Sequence, residues 1–306
     1  MQVAIFLGVL FLFMALGVPI AFVLVLCAIV LMFNMGYSDA MIIAQNVVQG
    51  CNSFTLMAIP FFMLAGEIMG RGGLSKRIVL FSKLIVGRLR GGLGYVAVLS
   101  SIIFSGLSGS AVADASAIGG ILVPLMKDNG YEPARATAFV SSGAILAPII
   151  PPSIAFVTVG SITGISITKL FMIGIVPGLI IGLALMIAWA FVVKKDGYQD
   201  VETFSPQQAK SILKDSIPAL FMPVIIVVGI RMGVFTPTEA GAFAVVYALL
   251  VCTFWYKEFK LSDIREVFIN TAVSTATIMV LVGGATAASY FMTLAQLPNQ
   301  VAGLLG

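Results

Sequence analysis

Serines, glycines and one carboxylate interrupt an oily chain at residues 105–120, SGLSGSAVADASAIGG, and prolines interrupt it again at 147–154, APIIPPSI. Both stretches free backbone carbonyls. Glycine and serine loosen a helix, and proline lacks an N–H and clashes with the turn before it. Free carbonyls and serine hydroxyls are hard oxygen ligands, suited to an ion such as Na⁺ rather than to zinc. The N–H groups that start the helix after each break, with the positive end of its dipole, can face an anion. The 306 residues include no histidine, which removes most ordinary metal sites and every Ser-His or Cys-His mechanism. Asp114 is the single carboxylate in these stretches, where an aspartyl hydrolase needs two.

The rest of the chain is built for hydrocarbon. Apolar residues make up 60 % and charged residues 10 %, with a mean hydropathy of +1.10, where a soluble domain carries about 25 % charge. These values imply an all-α polytopic membrane protein lying in a lipid bilayer. Cys27, Cys51 and Cys252 have no CxxC spacing and read as packing residues. The formal charge of +4 implies no nucleic acid, because the basic residues cluster where cytoplasmic loops belong. The N-terminus has no basic n-region, and its apolar run is longer than a cleavable signal's.

The elements that must position the two breaks follow from length and charge. The run 3–33 spans about 46 Å as helix, more than the ~30 Å hydrocarbon core, with Gly17 and Pro19 inside it. One kinked helix or two short ones would fit. A second apolar stretch covers 46–69 and carries Pro60. Residues 70–92 hold Arg71, Lys76, Arg77, Lys83, Arg88 and Arg90 without an acid, which marks a cytoplasmic loop with an amphipathic interfacial helix. Residues 94–126 leave one basic loop and return to another, so a re-entrant hairpin is expected, with its tip near 107–111. The apolar run 136–168 is expected to be a span broken at 147–154. Further spans are expected at 170–193, 217–233, 236–256 and 268–292, with 195–215 a polar cytoplasmic linker.

Those elements divide the chain into scaffold spans and a basic arm (1–92), transport elements (93–168), a connecting span and linker (169–215), and the start of a second repeat (216–306). The repeat is suggested by GVPIAFVLVL at 17–26 and GVFTPTEAGAFAVV at 233–246, which align Pro19 with Pro237. The spans that follow run in opposite directions across the membrane, an inverted-repeat plan. At this offset of about 218 residues, a second hairpin would fall near positions 323–338. Either no second hairpin is needed or the second repeat is incomplete here; on the second reading about 110–130 further residues are expected.

Irregular backbone at membrane depth is tolerated only where protein or a water-filled cavity surrounds it. If the hairpin tip meets the broken span, Ser108, Gly109 and Ser110 supply one side of a substrate and ion site. Ser141, Ser142, Gly143, Pro151, Pro152 and Ser153 supply the other, with Na⁺ assigned to Ser108, Ser110, Gly143 and Ser153. Close helix packing is the competing reading of such small residues. Asp114 falls in the first turn of the returning half-helix, either favoured there by the dipole or in direct contact with ion or substrate. Thr236 to Glu239 has the form of a capping box, Glu67 is placed to pair with Arg71 at i+4, and Arg231 can snorkel from a span end.

The stretches LMAIPFFMLAGEIMGRGGLSKR (56–77), GGLGYVAVLSSIIFSGLSGSAVADASAIGGILVPLMKDNGYEPARATA (91–138), APIIPPSI (147–154) and FTPTEAG (235–241) resemble the large membrane subunit of tripartite ATP-independent periplasmic (TRAP) transporters. The resemblance covers the whole chain and is most specific over 105–154. It implies an elevator-type carrier of the ion transporter superfamily in the bacterial inner membrane, coupled to Na⁺. The implied partners are a small four-helix membrane subunit and a periplasmic substrate-binding protein. Its substrates would be organic anions: C4-dicarboxylates, sialic acids, keto acids or sugar acids. It implies an ion-site role for the hairpin and the broken span. A chain without the second hairpin is expected not to transport alone. A stand-alone Na⁺/dicarboxylate symporter or a Na⁺/H⁺ antiporter of the same architecture is the runner-up, and Asp114 is the one buried carboxylate available to an antiporter.

Overall fold

The computed structural model describes residues 2–198 and 201–305. They form fourteen α-helices, with no strand among the described residues. Among the described residues, four helices are long and apolar enough to cross a membrane: Ile167–Asp196, Pro206–Arg231, Pro237–Trp255 and Leu261–Leu294. The chain is a multi-pass, all-helical membrane protein. Its helices form two compact units, residues 1–56 with 272–306, and residues 57–271.

The first unit holds α1 (Gln2–Ala15), α2 (Ile20–Asn34), α3 (Ala40–Cys51), and two later pieces described below. The run 3–33 is therefore two helices. Gly17, at φ +78°, closes α1 in a conformation that costs a side chain energy, and Pro19 opens α2. Ala28, Leu31 and Met32 of α2 pack with Ile43, Ala287 and Phe291 in the core of this unit. Small residues bring backbones close, as where the Cys51 thiol donates to the Met279 carbonyl at 3.2 Å.

The second unit begins with α4 (Ala58–Arg71). The stretch expected as one apolar span over 46–69 is interrupted at Asn52–Phe54, and Pro60 lies in the first turn of α4, not at a break. Proline is tolerated there because first-turn N–H groups have no intrahelical partner. Next come α5 (Leu74–Val86), α6 (Gly92–Ser108), α7 (Ala111–Asp128), α8 (Pro133–Ala144) and α9 (Ile154–Thr163). Long helices α10 (Ile167–Asp196) and α11 (Pro206–Arg231) follow, then α12 (Pro237–Leu250), which runs into a π-helical turn at Val251–Trp255. The last two helices, α13 (Ile264–Leu294) and α14 (Leu297–Leu305), carry the chain back to the first unit.

Two sequence expectations are corrected here. The polar stretch 195–215 is not a linker throughout, because α11 starts at Pro206. Ser205 and Gln208 form a reciprocal capping box there, and the proline supplies helical φ, so the local chemistry starts a helix that the low hydropathy concealed. What precedes it is docked, with the Glu202 N–H on the Gly87 carbonyl at 2.9 Å and Lys83 on the Glu202 carboxylate at 2.5 Å. The amphipathic arm helix α5 docks its apolar face on neighbouring helices. It buries Leu74, Ile78, Val79 and Ser82, and packs on α6 and α11. Finally, Arg71 does not pair with Glu67. It makes a two-pronged ion pair with Glu266 at 2.8 and 2.6 Å, because the chain returns past it 195 residues later. The Thr236–Glu239 capping box forms as expected. Gly233, at φ +75°, precedes it as Gly17 precedes α2, so the aligned segments share a local helix–glycine–proline–helix structure.

Candidate functional site

Helices α6 and α7 make a helical hairpin whose turn is Gly109 and Ser110. Gly109 sits at φ +61°, and its N–H closes α6 on the Ser105 carbonyl at 3.3 Å. A Cβ at Gly109 would stand 2.5 Å from the Pro152 carbonyl oxygen, a separation that real side chains do not reach. The Gly109 carbonyl itself accepts the Ile154 N–H at 3.4 Å. The hairpin turn therefore meets the second break directly, and only glycine lets it approach so closely.

That second break is the non-helical segment 145–153 between α8 and α9, containing Pro148, Pro151 and Pro152. Short-range turns fold it, with Leu146 N–H on Gly143 O and Ile149 N–H on Leu146 O. The buried Ser153 hydroxyl donates to the Pro148 carbonyl at 2.5 Å and caps α9 by accepting the Phe156 N–H at 3.2 Å. Ser110 caps α7 in the same way through Ala113. Two serine-capped helix starts thus flank one junction, where their N–H groups and dipole ends are positive.

Asp114, on the first turn of α7, is completely buried. Sequence reasoning left it between a dipole-favoured first-turn position and direct ion or substrate contact. It does lie in that first turn, and its oxygens accept hydrogen bonds from α6: Ser105 donates to one at 2.8 Å and Ser108 to the other. The Ser108 oxygen in turn accepts the Ser110 N–H at 3.1 Å. This chain of bonds ties the two helices together at the turn.

The residues assigned to the span side separate. Pro151, Pro152 and Ser153 lie at the junction with Gly109. Ser141 lines an open depression of about 380 Å³ together with Ala111, Val112, Ser116 and Ala144, at the start of α7. The exposed Ser142 hydroxyl is satisfied by the Ala138 carbonyl of its own helix at 2.8 Å. Gly143 is buried at the crossing of α8 and α6, where a Cβ would meet the Ser101 hydroxyl oxygen at 2.8 Å. So Ser108, Ser110 and Ser153 are brought to the junction, while Gly143 sits at a helix crossing.

Sequence reasoning overlooked three groups that hold this site. Ser105 is the second donor to Asp114, and its i, i+3 spacing from Ser108 was the available signal. Gly66 of α4 lets that helix lie against Ser108, with a Cβ position 3.3 Å from the Ser108 Cα. Gly174, Gly178 and Gly182 form a stripe on α10 with four-residue spacing, facing Ile149, Ile150 and Ile102 respectively. That stripe seats the unwound segment, and its spacing was legible but was not used.

At the open end of the hairpin, the Trp189 indole donates to the Gly91 carbonyl at 2.8 Å. Its ring stacks with Tyr131 and Tyr198, and Arg135 pairs with Asp196 nearby. These contacts close the hairpin base on the end of α10. Among the described residues no group of three or more Cys, Asp or Glu is placed to hold a metal ion, so oxygen from serines and carbonyls is the donor chemistry at hand.

Residues 7–306 match the model of the tripartite ATP-independent periplasmic transporter, DctM component. The 2,3-diketo-L-gulonate TRAP transporter large permease protein YiaN of Escherichia coli is 47 % identical over 305 residues, covering all of this chain and 72 % of that protein. The sialic acid TRAP transporter large permease protein SiaM of Vibrio cholerae is 36 % identical over 94 % of this chain and 67 % of its own length. The C4-dicarboxylate TRAP transporter large permease protein DctM of Pseudomonas aeruginosa is 35 % identical, covering 85 % of this chain and 61 % of that protein. With relatives this similar along its whole length, the chain belongs to the DctM family of TRAP transporter large permeases, and is a transport subunit rather than an enzyme.

Proposed function

We propose that this chain is the membrane-embedded part of a Na⁺-coupled importer of an organic acid, in the bacterial inner membrane. The observation that carries the reading is the junction of the two backbone breaks, where the Gly109 carbonyl takes the Ile154 N–H among the oxygens of Ser108, Ser110 and Ser153. Backbone irregular at membrane depth is characteristic of transporter ion sites, and its hard oxygens suit Na⁺. The starts of α7 and α9 add positive dipole ends, which favour an anionic group on the substrate. Relatives carry diketogulonate, sialic acid and C4-dicarboxylate in their names, all of them organic acids, which supports that substrate class without selecting a member.

In this reading a periplasmic binding protein delivers the substrate and a small four-helix membrane subunit completes the complex. The basic segment 70–92 faces the cytoplasm, as its unopposed positive charge favours. Movement of the hairpin and the broken span as one body would expose the site to each side in turn, an elevator within an inverted repeat.

The test is uptake into proteoliposomes holding this chain with its small subunit, with the binding protein and candidate acids outside. Uptake driven by an inward Na⁺ gradient, and lost when K⁺ replaces Na⁺, is the expected result. Uptake indifferent to Na⁺ would remove the ion coupling, and Na⁺-driven uptake without any binding protein would favour a stand-alone symporter.

A further inference from the structure

Several charged side chains of the second unit that are buried or half-buried form ion pairs. Lys83 meets Glu202, Arg77 meets Asp215 and Glu258, and Arg135 meets Asp196. Asp114 has 0 % exposure, yet no lysine or arginine among the described residues forms an ion pair with it. Its partners are two neutral hydroxyls, Ser105 at 2.8 Å and Ser108. A buried ion needs a counter-charge or a metal as well as hydrogen bonds, because hydroxyl dipoles alone do not replace water around a full charge.

The geometry shows where that counter-charge would sit. Ser108 gives its proton to Asp114 and accepts the Ser110 N–H, which leaves one lone pair on its oxygen. A hydroxyl that donates to a carboxylate carries more negative charge on its oxygen and is a better cation ligand, as second-sphere partners make ligands more basic. The Ser108 hydroxyl bridges the carboxylate and the Ser110 N–H of the turn, so the carboxylate acts on the turn through Ser108.

We infer that Asp114 is a positioning residue and the second-sphere counter-charge for a cation held at the hairpin turn, not a ligand to it. The inference rests on reading the turn as a cation site, and it separates the two roles that the sequence left joined at Asp114. Ser105 belongs to the same device: its hydrogen bond fixes the carboxylate so that the other oxygen addresses Ser108.

Thermal unfolding of the purified protein against Na⁺ concentration, with K⁺ keeping ionic strength constant, tests this without any transport partner. A bound ion stabilises the folded state in proportion to the logarithm of its concentration above Kd. Asp114→Asn keeps the size and one acceptor but removes the charge. It is expected to raise the apparent Kd for Na⁺ read from that dependence by about 10–100-fold, the usual cost of losing a second-sphere partner. Ser105→Ala, which keeps the charge, should raise it only a few-fold. An unshifted Asp114→Asn beside a shifted Ser108→Ala overturns the counter-charge and leaves the ion site standing. If the wild-type protein gains no stability from Na⁺, or Ser108→Ala leaves the response unchanged, the site itself falls. Should Asp114→Asn not fold, Ser105→Ala decides, and an unshifted response there overturns the inference.

Discussion

Near the start of α5, Arg77 donates from Nε to Asp215 at 3.2 Å and from a terminal nitrogen to Glu258, while Lys76 lies 3.6 Å from Glu258 and the Tyr256 ring packs 4.2 Å from the guanidinium. At the hairpin turn, the hydrogen-bond donors to the Asp114 carboxylate among the described residues are two neutral hydroxyls. The first cluster sets two cations against two acids, and Tyr256 and Ser216 add hydrogen bonds to the carbonyls of Asp215 and Arg77. Burial works against the Arg77 charge, but the hydrogen bond and charge of Glu258, with Asp215, outweigh it and hold its pKa above the usual arginine value. A balanced cluster of this kind is complete as it stands, and it staples the arm to α11 and to the end of α12. The turn holds a buried carboxylate with no cationic partner among the described residues, and its left-handed backbone at Gly109 suits glycine. The difference teaches that counting polar groups does not find a site, whereas asking which charge lacks its partner does.

The largest expected effect is at the turn. Gly109→Ala would combine a left-handed backbone with a Cβ 2.5 Å from the Pro152 carbonyl oxygen, costing at least about 2–3 kcal/mol and separating the two breaks. Thermal unfolding should show the loss, and Na⁺ should no longer stabilise what remains folded. A variant that melts with the wild type and responds to Na⁺ would show that the junction does not form the site.

Next in size is Arg77→Met, which leaves Asp215 without its ion-pair partner and Glu258 with Lys76 alone. Breaking a fully buried pair costs about 3–5 kcal/mol, and partial exposure here brings the expectation down to about 2 kcal/mol. Stability should fall while the half-saturating Na⁺ concentration stays put, because this cluster is a staple. A shifted Na⁺ response would couple the two regions and break the comparison.

The smallest effects belong to the exposed pair Arg71–Glu266. Glu266→Gln should lower the melting temperature only slightly, and high salt should erase the difference. Glu67→Gln should change nothing measurable. An effect of Glu67→Gln as large as that of Glu266→Gln would restore the local i, i+4 pairing that the structure replaces.

Much of the hairpin was legible because its signals are local. Gly109, Ser110 and the prolines of 147–154 act on their own backbone, so the two breaks, the serine caps and the Thr236–Glu239 box follow from residue type and spacing alone. Local signals also carried the errors. Hydropathy hid the start of α11, whose capping box was written at Ser205–Gln208. Helical spacing assigned Arg71 to Glu67, because the i+4 rule knows only the neighbours on one helix.

What the sequence by itself determined was therefore the class, the membrane-length helices and the places where the backbone must break. Each of these depends on free energies that a residue carries with it: transfer to hydrocarbon, a missing N–H, a permitted positive φ. Tertiary structure alone decided that Gly109 meets Pro152 and Ile154, that Asp114 is held by Ser105 and Ser108, that Gly143 lies against Ser101, and that Arg71 reaches Glu266. Those pairings are distances between segments that approach only when the helices pack, and the glycines that permit the approach do not record what will fill the space they leave.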